Sequence, residues 1–246
     1  GLEGCNEILN VTRPDIIEGV HDAYFEVGVD CVETNTFGAN WSNLSDYDID
    51  DRIEELAKAG AEIARESAEK YEKKDGRMRW TLGSMGPGTK LPSLGHTTYD
   101  HLKKTFALQA KGLILGGADA FMVETSQDLL QTKAAINGCR VAMVETDTRL
   151  PLFVEVTVET TGTMLMGSEI NAALTALEPL GIDMIGLNCA TGPQEMSEHL
   201  RQLSQHAEIP VMVMPNAGLP VLTATGASYP LSPEDLATAH EQFVKE

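Results

Sequence analysis

Apolar and polar positions along the chain repeat in one arrangement. A short apolar run follows a glycine and an aspartate and stops at polar residues. Gly28-Val29-Asp30 precedes Cys31-Val32-Glu33-Thr34, Gly117-Ala118-Asp119 precedes Phe121-Met122-Val123-Glu124-Thr125, and Gly181-Ile182-Asp183 precedes Met184-Ile185-Gly186-Leu187-Asn188-Cys189. Each copy has the same physical reading. A helix closes at the glycine, which accepts the left-handed C-cap conformation. The apolar run is a buried parallel strand, and polar residues stand at its C-terminal end. Runs at 79–84, 151–157 and 210–214 fit the same rhythm. Helices are expected between them, over 14–26, 50–73, 102–115, 129–144, 169–180, 194–206 and 233–245. Ile53, Leu56, Ala57, Gly60, Ile63 and Ala64 line one face of the second helix. Thr12 and Ser232 are the expected N-caps of the first and last, each followed within two residues by proline.

Strands alternating with helices imply a parallel sheet joined by right-handed crossovers. The expected fold is α/β, a (β/α)8 TIM-type barrel with six of its eight strands in this chain, and residues 1–246 form one domain. The alternative is an open, doubly wound sheet. The barrel is preferred because polar clusters end several separate strands rather than gathering at one switch point. With the first and last strands outside this sequence, the strands around Val32 and Val213 become edges, a template for association.

The chain has 246 residues, 42% of them hydrophobic, with 37 acidic against 18 basic side chains and a formal net charge of −19. So acidic a chain repels phosphate backbones, which argues against nucleic-acid binding. No stretch approaches the roughly 20 apolar residues of a membrane span. The four cysteines, Cys5, Cys31, Cys139 and Cys189, are scattered without a CxxC pair, a usage that fits a reducing compartment.

Candidate chemistry sits at the strand ends. These are Glu33-Thr34-Asn35-Thr36, Gly83-Ser84-Met85-Gly86-Pro87-Gly88, Glu124-Thr125, Thr157 to Gly162, Asn188-Cys189 and Pro215-Asn216-Ala217-Gly218. In a barrel all of them line one mouth. At Thr36 and Thr125, capping of the following helix is at least as good a reading as a ligand role. The glycines around Ser84 could bring backbone N–H groups to a carboxylate, or simply make a tight turn. Glu124 is a carboxylate at the dry end of a strand and needs a cation. No Lys or Arg is near it in sequence, which favours a substrate ammonium. Inert packing is the commoner role for a lone cysteine in the position of Cys189; a metal ligand or nucleophile is the sharper one.

Five segments together carry a family resemblance. They are Gly4-Cys5-Asn6-Glu7-Ile8-Leu9-Asn10 with Thr12-Arg13-Pro14; Val32-Glu33-Thr34-Asn35-Thr36-Phe37; Gly83-Ser84-Met85-Gly86-Pro87; Gly186-Leu187-Asn188-Cys189-Ala190-Thr191-Gly192-Pro193; and Met214-Pro215-Asn216-Ala217-Gly218-Leu219-Pro220. In this order the chain resembles, from end to end, the homocysteine-binding module of cobalamin-dependent methionine synthases. Those belong to the zinc-dependent homocysteine S-methyltransferase family, whose members are (β/α)8 barrels.

The resemblance implies a cytoplasmic methyltransferase that activates the homocysteine thiol on zinc. The methyl group would come from methylcobalamin on another module, and the partners would be the cobalamin- and folate-binding modules of the same enzyme. Cys189 matches the first zinc cysteine of the family's GxNCxxGP motif and is the catalytic and metal residue so implied. Glu124 and the backbone around Ser84 and Met85 would hold the amino-acid end of homocysteine, with Glu33, Thr34 and Asn188 lining the pocket. The family's other two zinc cysteines, an adjacent pair, and its glycine-rich first strand have no counterpart among these residues, so this chain alone is expected to hold no zinc and to be inactive. Three alternatives remain beside this reading: a betaine- or S-methylmethionine-dependent homocysteine methyltransferase, a non-catalytic remnant, and an unrelated barrel enzyme built on Glu124 and Glu33.

Overall fold

The computed structural model describes residues 2–223 and 226–245, with Ala227 described by its backbone only. Six parallel strands follow the chain without a change of order: β1 (Cys31–Glu33), β2 (Trp80–Met85), β3 (Ala120–Ser126), β4 (Leu152–Val156), β5 (Met184–Asn188) and β6 (Val211–Met214). The register sets Val32 beside Thr81, Ser84 beside Met122, and Asn188 beside Met214. Sequential parallel order rules out a doubly wound switch point, where the order would reverse. Gly28, Gly117 and Gly181 all have positive φ, as the repeated strand approach requires.

The chain divides into two compact units. One comprises residues 1–123 and 130–153, the other 124–129 and 154–246. In the first, α2 (Pro14–Glu26) and α4 (Ile53–Asp75) pack over β1. Phe25, Val32, Ala64, Ala68 and Tyr71 form their common core, with the Phe25 and Tyr71 rings 5.7 Å apart. α5 (Tyr99–Leu115) lies against α4 at very close range. A Cβ placed on Gly112 would lie 2.5 Å from the Glu54 carbonyl oxygen, and one on Gly116 2.4 Å from that of Lys58. α1 (Leu9–Thr12) is a short turn that clamps the loop after β1. Asn10 Nδ2 donates to the carbonyls of Asn35 (2.9 Å) and Leu56 (3.0 Å), Asn35 Nδ2 donates back to Asn10 Oδ1 (2.9 Å), and Glu7 Oε1 accepts the Gly38 N–H (2.8 Å). α3 (Trp41–Leu44) and α6 (Leu129–Thr146) complete the helices between β1 and β4.

In the second unit, α7 (Ile170–Leu177), α8 (Pro193–His206) and α9 (Pro233–Lys245) follow β4, β5 and β6. An antiparallel hairpin, β7 (Val221–Thr223) with β8 (Gly226–Ser228), precedes α9. Buried apolar residues of this unit include Val154, Val156, Ile170, Leu174, Leu177, Ile185, Leu187, Met196 and Leu203.

The expected helices are all present, with local differences that have local causes. Residues 178–180 form a 3-10 turn rather than the end of an α-helix, because Pro179 has no N–H to continue the ladder. Thr12 does not cap α2: Arg13 holds that position, and the Thr12 hydroxyl donates to the Ile8 carbonyl inside α1. Ser232 does cap α9, its Oγ accepting the Asp235 N–H at 3.1 Å. The hairpin and the helical turns at 6–12 and 41–44 fall outside the expected elements.

A charged cluster sits at the opening of β2. Glu72 Oε1 accepts the Arg79 main-chain N–H (2.9 Å) and the Arg65 guanidinium (2.8 Å), while Arg65 also reaches Asp119 (3.0 Å). The Arg79 N–H first, and the Arg65 guanidinium after it, hold the Glu72 carboxyl below the usual range against the opposing effect of burial. A depressed folded pKa adds stability that is present above the unfolded value of about 4.3 and is lost as pH falls through the folded value. Glu72→Gln is therefore expected to lower Tm at pH 7, with the difference from wild type closing below about pH 4. A series of melts against pH reads this directly, and a difference that stays constant with pH contradicts it.

Candidate functional site

In the first unit, β1 ends at Glu33, half-buried, and Thr34, buried. The Thr34 and Thr36 hydroxyls lie 2.6 Å apart. Together they take both main-chain groups of Ser84: its N–H donates to Thr34 Oγ1 (3.1 Å), and its carbonyl accepts from Thr36 Oγ1 (2.7 Å). Gln109 Nε2 adds a bond to the Thr36 carbonyl at 2.8 Å. The Gly86 N–H is likewise taken, by the Phe37 carbonyl at 3.0 Å. A Cβ on Gly86 would meet the Phe37 ring at 2.7 Å, so glycine serves close packing here. Met85 is buried, with Cys139 Sγ 3.5 Å from its sulfur. Two of the amides expected to face a carboxylate thus already have internal acceptors.

In the second unit, the ends of β3 and β5 meet at Asn188. Its Nδ2 donates to Glu124 Oε2 (3.3 Å) and to Thr125 Oγ1 (2.9 Å), and lies 3.6 Å from Cys189 Sγ. Its Oδ1 accepts the Thr125 N–H (2.9 Å) and the Thr157 hydroxyl (3.3 Å). That hydroxyl also reaches the Asn188 carbonyl at 3.0 Å. Glu124, Thr157 and Asn188 are buried, and Cys189 is partly exposed. Three residues here hold positive φ without being glycine: Thr125 at 56°, Cys189 at 58° and Ala190 at 56°. For a β-branched residue such as Thr125 that conformation is a genuine outlier. The segment after β6 comes alongside, the Asn216 N–H donating to the Thr191 carbonyl at 3.0 Å and the Cys189 N–H to the Met214 carbonyl at 3.2 Å.

Glu124, Asn188 and Cys189, read from two strand-end motifs, therefore share one hydrogen-bonded cluster. Thr34, Thr36, Ser84 and Gln109, the last of which no sequence motif marks, share another. Thr125 and Thr157 carry the first cluster, yet from spacing alone Thr125 has only an ambiguous role and Thr157 none by itself. A signal was present: a Glu-Thr pair recurs near the C-terminal ends of β1 and β3, at 33–34 and 124–125.

The donor set bears on the zinc expectation. Beside Cys189 Sγ stand the Thr125 hydroxyl at 3.7 Å and the Asn188 amide nitrogen at 3.6 Å. Among the described residues no three His, Cys, Asp or Glu side chains are gathered so as to hold a metal ion. These residues do not, by themselves, fit a zinc site. The other cysteines are remote in character. Cys5 and Cys139 are buried, and burial pushes the Cys139 thiol far up. Cys31 is exposed on β1, its thiol raised first by burial and then by Glu33 and Asp30. Among the described residues no helix is long and apolar enough to cross a membrane.

Strand-end carboxylate, amide and thiol on a sequential parallel α/β sheet define a class, and the family pattern agrees. The homocysteine S-methyltransferase pattern matches residues 2–246, and the chain belongs to that family. It is 64% identical over all 246 residues to methionine synthase of Mycobacterium tuberculosis (strain ATCC 25618 / H37Rv), and 63% identical to methionine synthase of Mycobacterium leprae (strain TN). It spans only 21% and 20% of the lengths of those two proteins. Among solved structures, the metallated form of the homocysteine methyltransferase MmuM from Escherichia coli matches with a TM-score of 0.74. Its sequence identity is 19%, over 85% of this chain and 75% of that one. At that identity the likeness is one of fold.

Proposed function

We propose that residues 1–246 form the homocysteine-binding domain of a cytoplasmic methionine synthase. In this reading the enzyme methylates homocysteine with a methyl group carried by methylcobalamin on another module, and a folate-binding module belongs to the same enzyme. The observation that carries the proposal is the Asn188 amide, which ties Glu124 to the strand end bearing Cys189. Glu124 takes the substrate ammonium, the role its burial and its position at the end of β3 fit best. Identity of 64% and 63% over the whole of this chain to two methionine synthases supports cobalamin over betaine or S-methylmethionine as the donor. Four free cysteines support a reducing compartment.

Cys189 supplies one soft donor of the proposed zinc site, and the described residues supply no companions. The chemistry assigned to this chain is accordingly confined to binding and orienting the amino-acid end of homocysteine. The test is a methyl-transfer assay from methylcobalamin to homocysteine in the full-length enzyme, run with metal analysis. Cys189→Ser is expected to lose both bound zinc and methionine formation. Wild-type turnover in that variant would overturn the assignment.

A further inference from the structure

The Glu124 cluster contains a residue held in a strained backbone conformation. Thr125 sits at φ 56° although a β-branched residue disfavours the left-handed region. Such strain persists only where the surroundings over-determine it, and here they do. In this conformation the Thr125 N–H points at Asn188 Oδ1 while its Oγ1 receives Asn188 Nδ2, both at 2.9 Å. One residue thereby reads both ends of one amide. Flipping the amide would set its NH2 against a backbone N–H, so the orientation is fixed. The Thr157 hydroxyl, donating to Asn188 Oδ1 and to its carbonyl, enforces the same choice from the segment after β4. With the amide so held, Nδ2 is turned to Thr125 Oγ1 and, on the same side, to Glu124 Oε2 and Cys189 Sγ.

We propose that Thr125 is a positioning residue: through the Asn188 amide it holds the Glu124 carboxylate in place for the substrate ammonium. This rests on the reading of Glu124 given above. A purely structural threonine and a positioning one differ in what their loss does. At a left-handed position glycine is the better backbone residue, so Thr125→Gly relieves strain while deleting the hydroxyl. Thr125→Ser keeps the hydroxyl and removes only the branch.

The experiment compares wild type, Thr125→Gly, Thr125→Ser and Glu124→Gln in the full-length enzyme. The probes are L-homocysteine and its analogue lacking the amino group. Thr125→Gly is expected to raise the KM for homocysteine about tenfold, the loss of one net hydrogen bond, and to leave that for the analogue within about twofold. Its Tm should equal or exceed that of wild type, and Thr125→Ser should restore discrimination between the two ligands. Unchanged discrimination in Thr125→Gly, failure of serine to rescue it, or equal weakening of both ligands with a lower Tm would each overturn the proposal. If Glu124→Gln abolishes discrimination while Thr125→Gly does not, the inference alone fails. If Glu124→Gln leaves discrimination intact, the assignment of Glu124 fails and takes the inference with it.

Discussion

Replacing Glu124 with glutamine is expected to raise the KM of the full-length enzyme for homocysteine about 100-fold, the largest effect on substrate affinity among the substitutions considered. Glu124 is only 7% exposed, so water cannot take over from a lost charge. Hydrogen bonds to charged groups contribute about 1.5–3 kcal/mol, and removing one partner of a buried pair costs more because the other is left uncompensated. Glutamine is nearly isosteric and can still accept from Asn188 Nδ2 through its carbonyl oxygen, so the fold should survive with Tm close to wild type. The loss should fall on the amino group alone. An analogue without it should bind wild type and variant alike, and calorimetric titration of both ligands decides the matter. Equal affinity of the variant and wild type for homocysteine would remove Glu124 from substrate recognition.

The second large effect concerns stability rather than binding. Gly112→Ala and Gly116→Ala should each destabilise the protein by about 3 kcal/mol and lower Tm by about 10 °C. In an exposed helix the same change is favourable by about 1 kcal/mol, because alanine is the better helix former. Here the added carbon has no room. At position 116 it would stand 2.4 Å from the Lys58 carbonyl oxygen and 2.6 Å from Ala61 Cβ. At position 112 it would stand 2.5 Å from the Glu54 carbonyl oxygen. The clash is with the backbone of α4, which cannot swing aside as a long side chain can. Gly19→Ala in α2 is the internal control. Its Cβ would meet nothing within 4 Å, and it should stabilise by about 0.5–1 kcal/mol. Chemical denaturation of the three variants gives the comparison, and a neutral Gly116→Ala would show that α4 and α5 separate easily.

These two sets of residues also mark what the sequence discloses and what it hides. The strands were legible because glycine, apolar run and polar stop recur three times, and a buried parallel strand leaves little freedom in that pattern. Glu124 and Asn188 were legible because polar groups at dry strand ends are costly without a purpose. Gly112 and Gly116 looked like ordinary helical and turn glycines: a contact between helices some fifty residues apart leaves no local trace. Thr12 misled for the opposite reason. It has the composition of a cap, but a short helix upstream takes its hydroxyl first. Thr125 and Thr157 stayed obscure because their role lies in the direction of a third residue's amide, which spacing does not encode. The β7–β8 hairpin was missed because Val221-Leu222-Thr223 is short and exposed, without the alternation that marks a half-buried strand.

The clamp made by Glu7, Asn10 and Asn35 has a consequence for how related sequences can diverge. Asn35 Nδ2 donates to Asn10 Oδ1 and to the Asn6 carbonyl, while Asn10 Nδ2 donates to the Asn35 and Leu56 carbonyls. Glu7 receives the N–H of Gly38, where a Cβ would lie 2.6 Å from the Glu7 carboxylate. Changing any one of these residues strands a polar group that its partners were built to receive. They are expected to behave as one heritable character, kept together or exchanged together across natural variants. Drift at single positions should be confined to solvent-facing neighbours such as Val11 and Arg13.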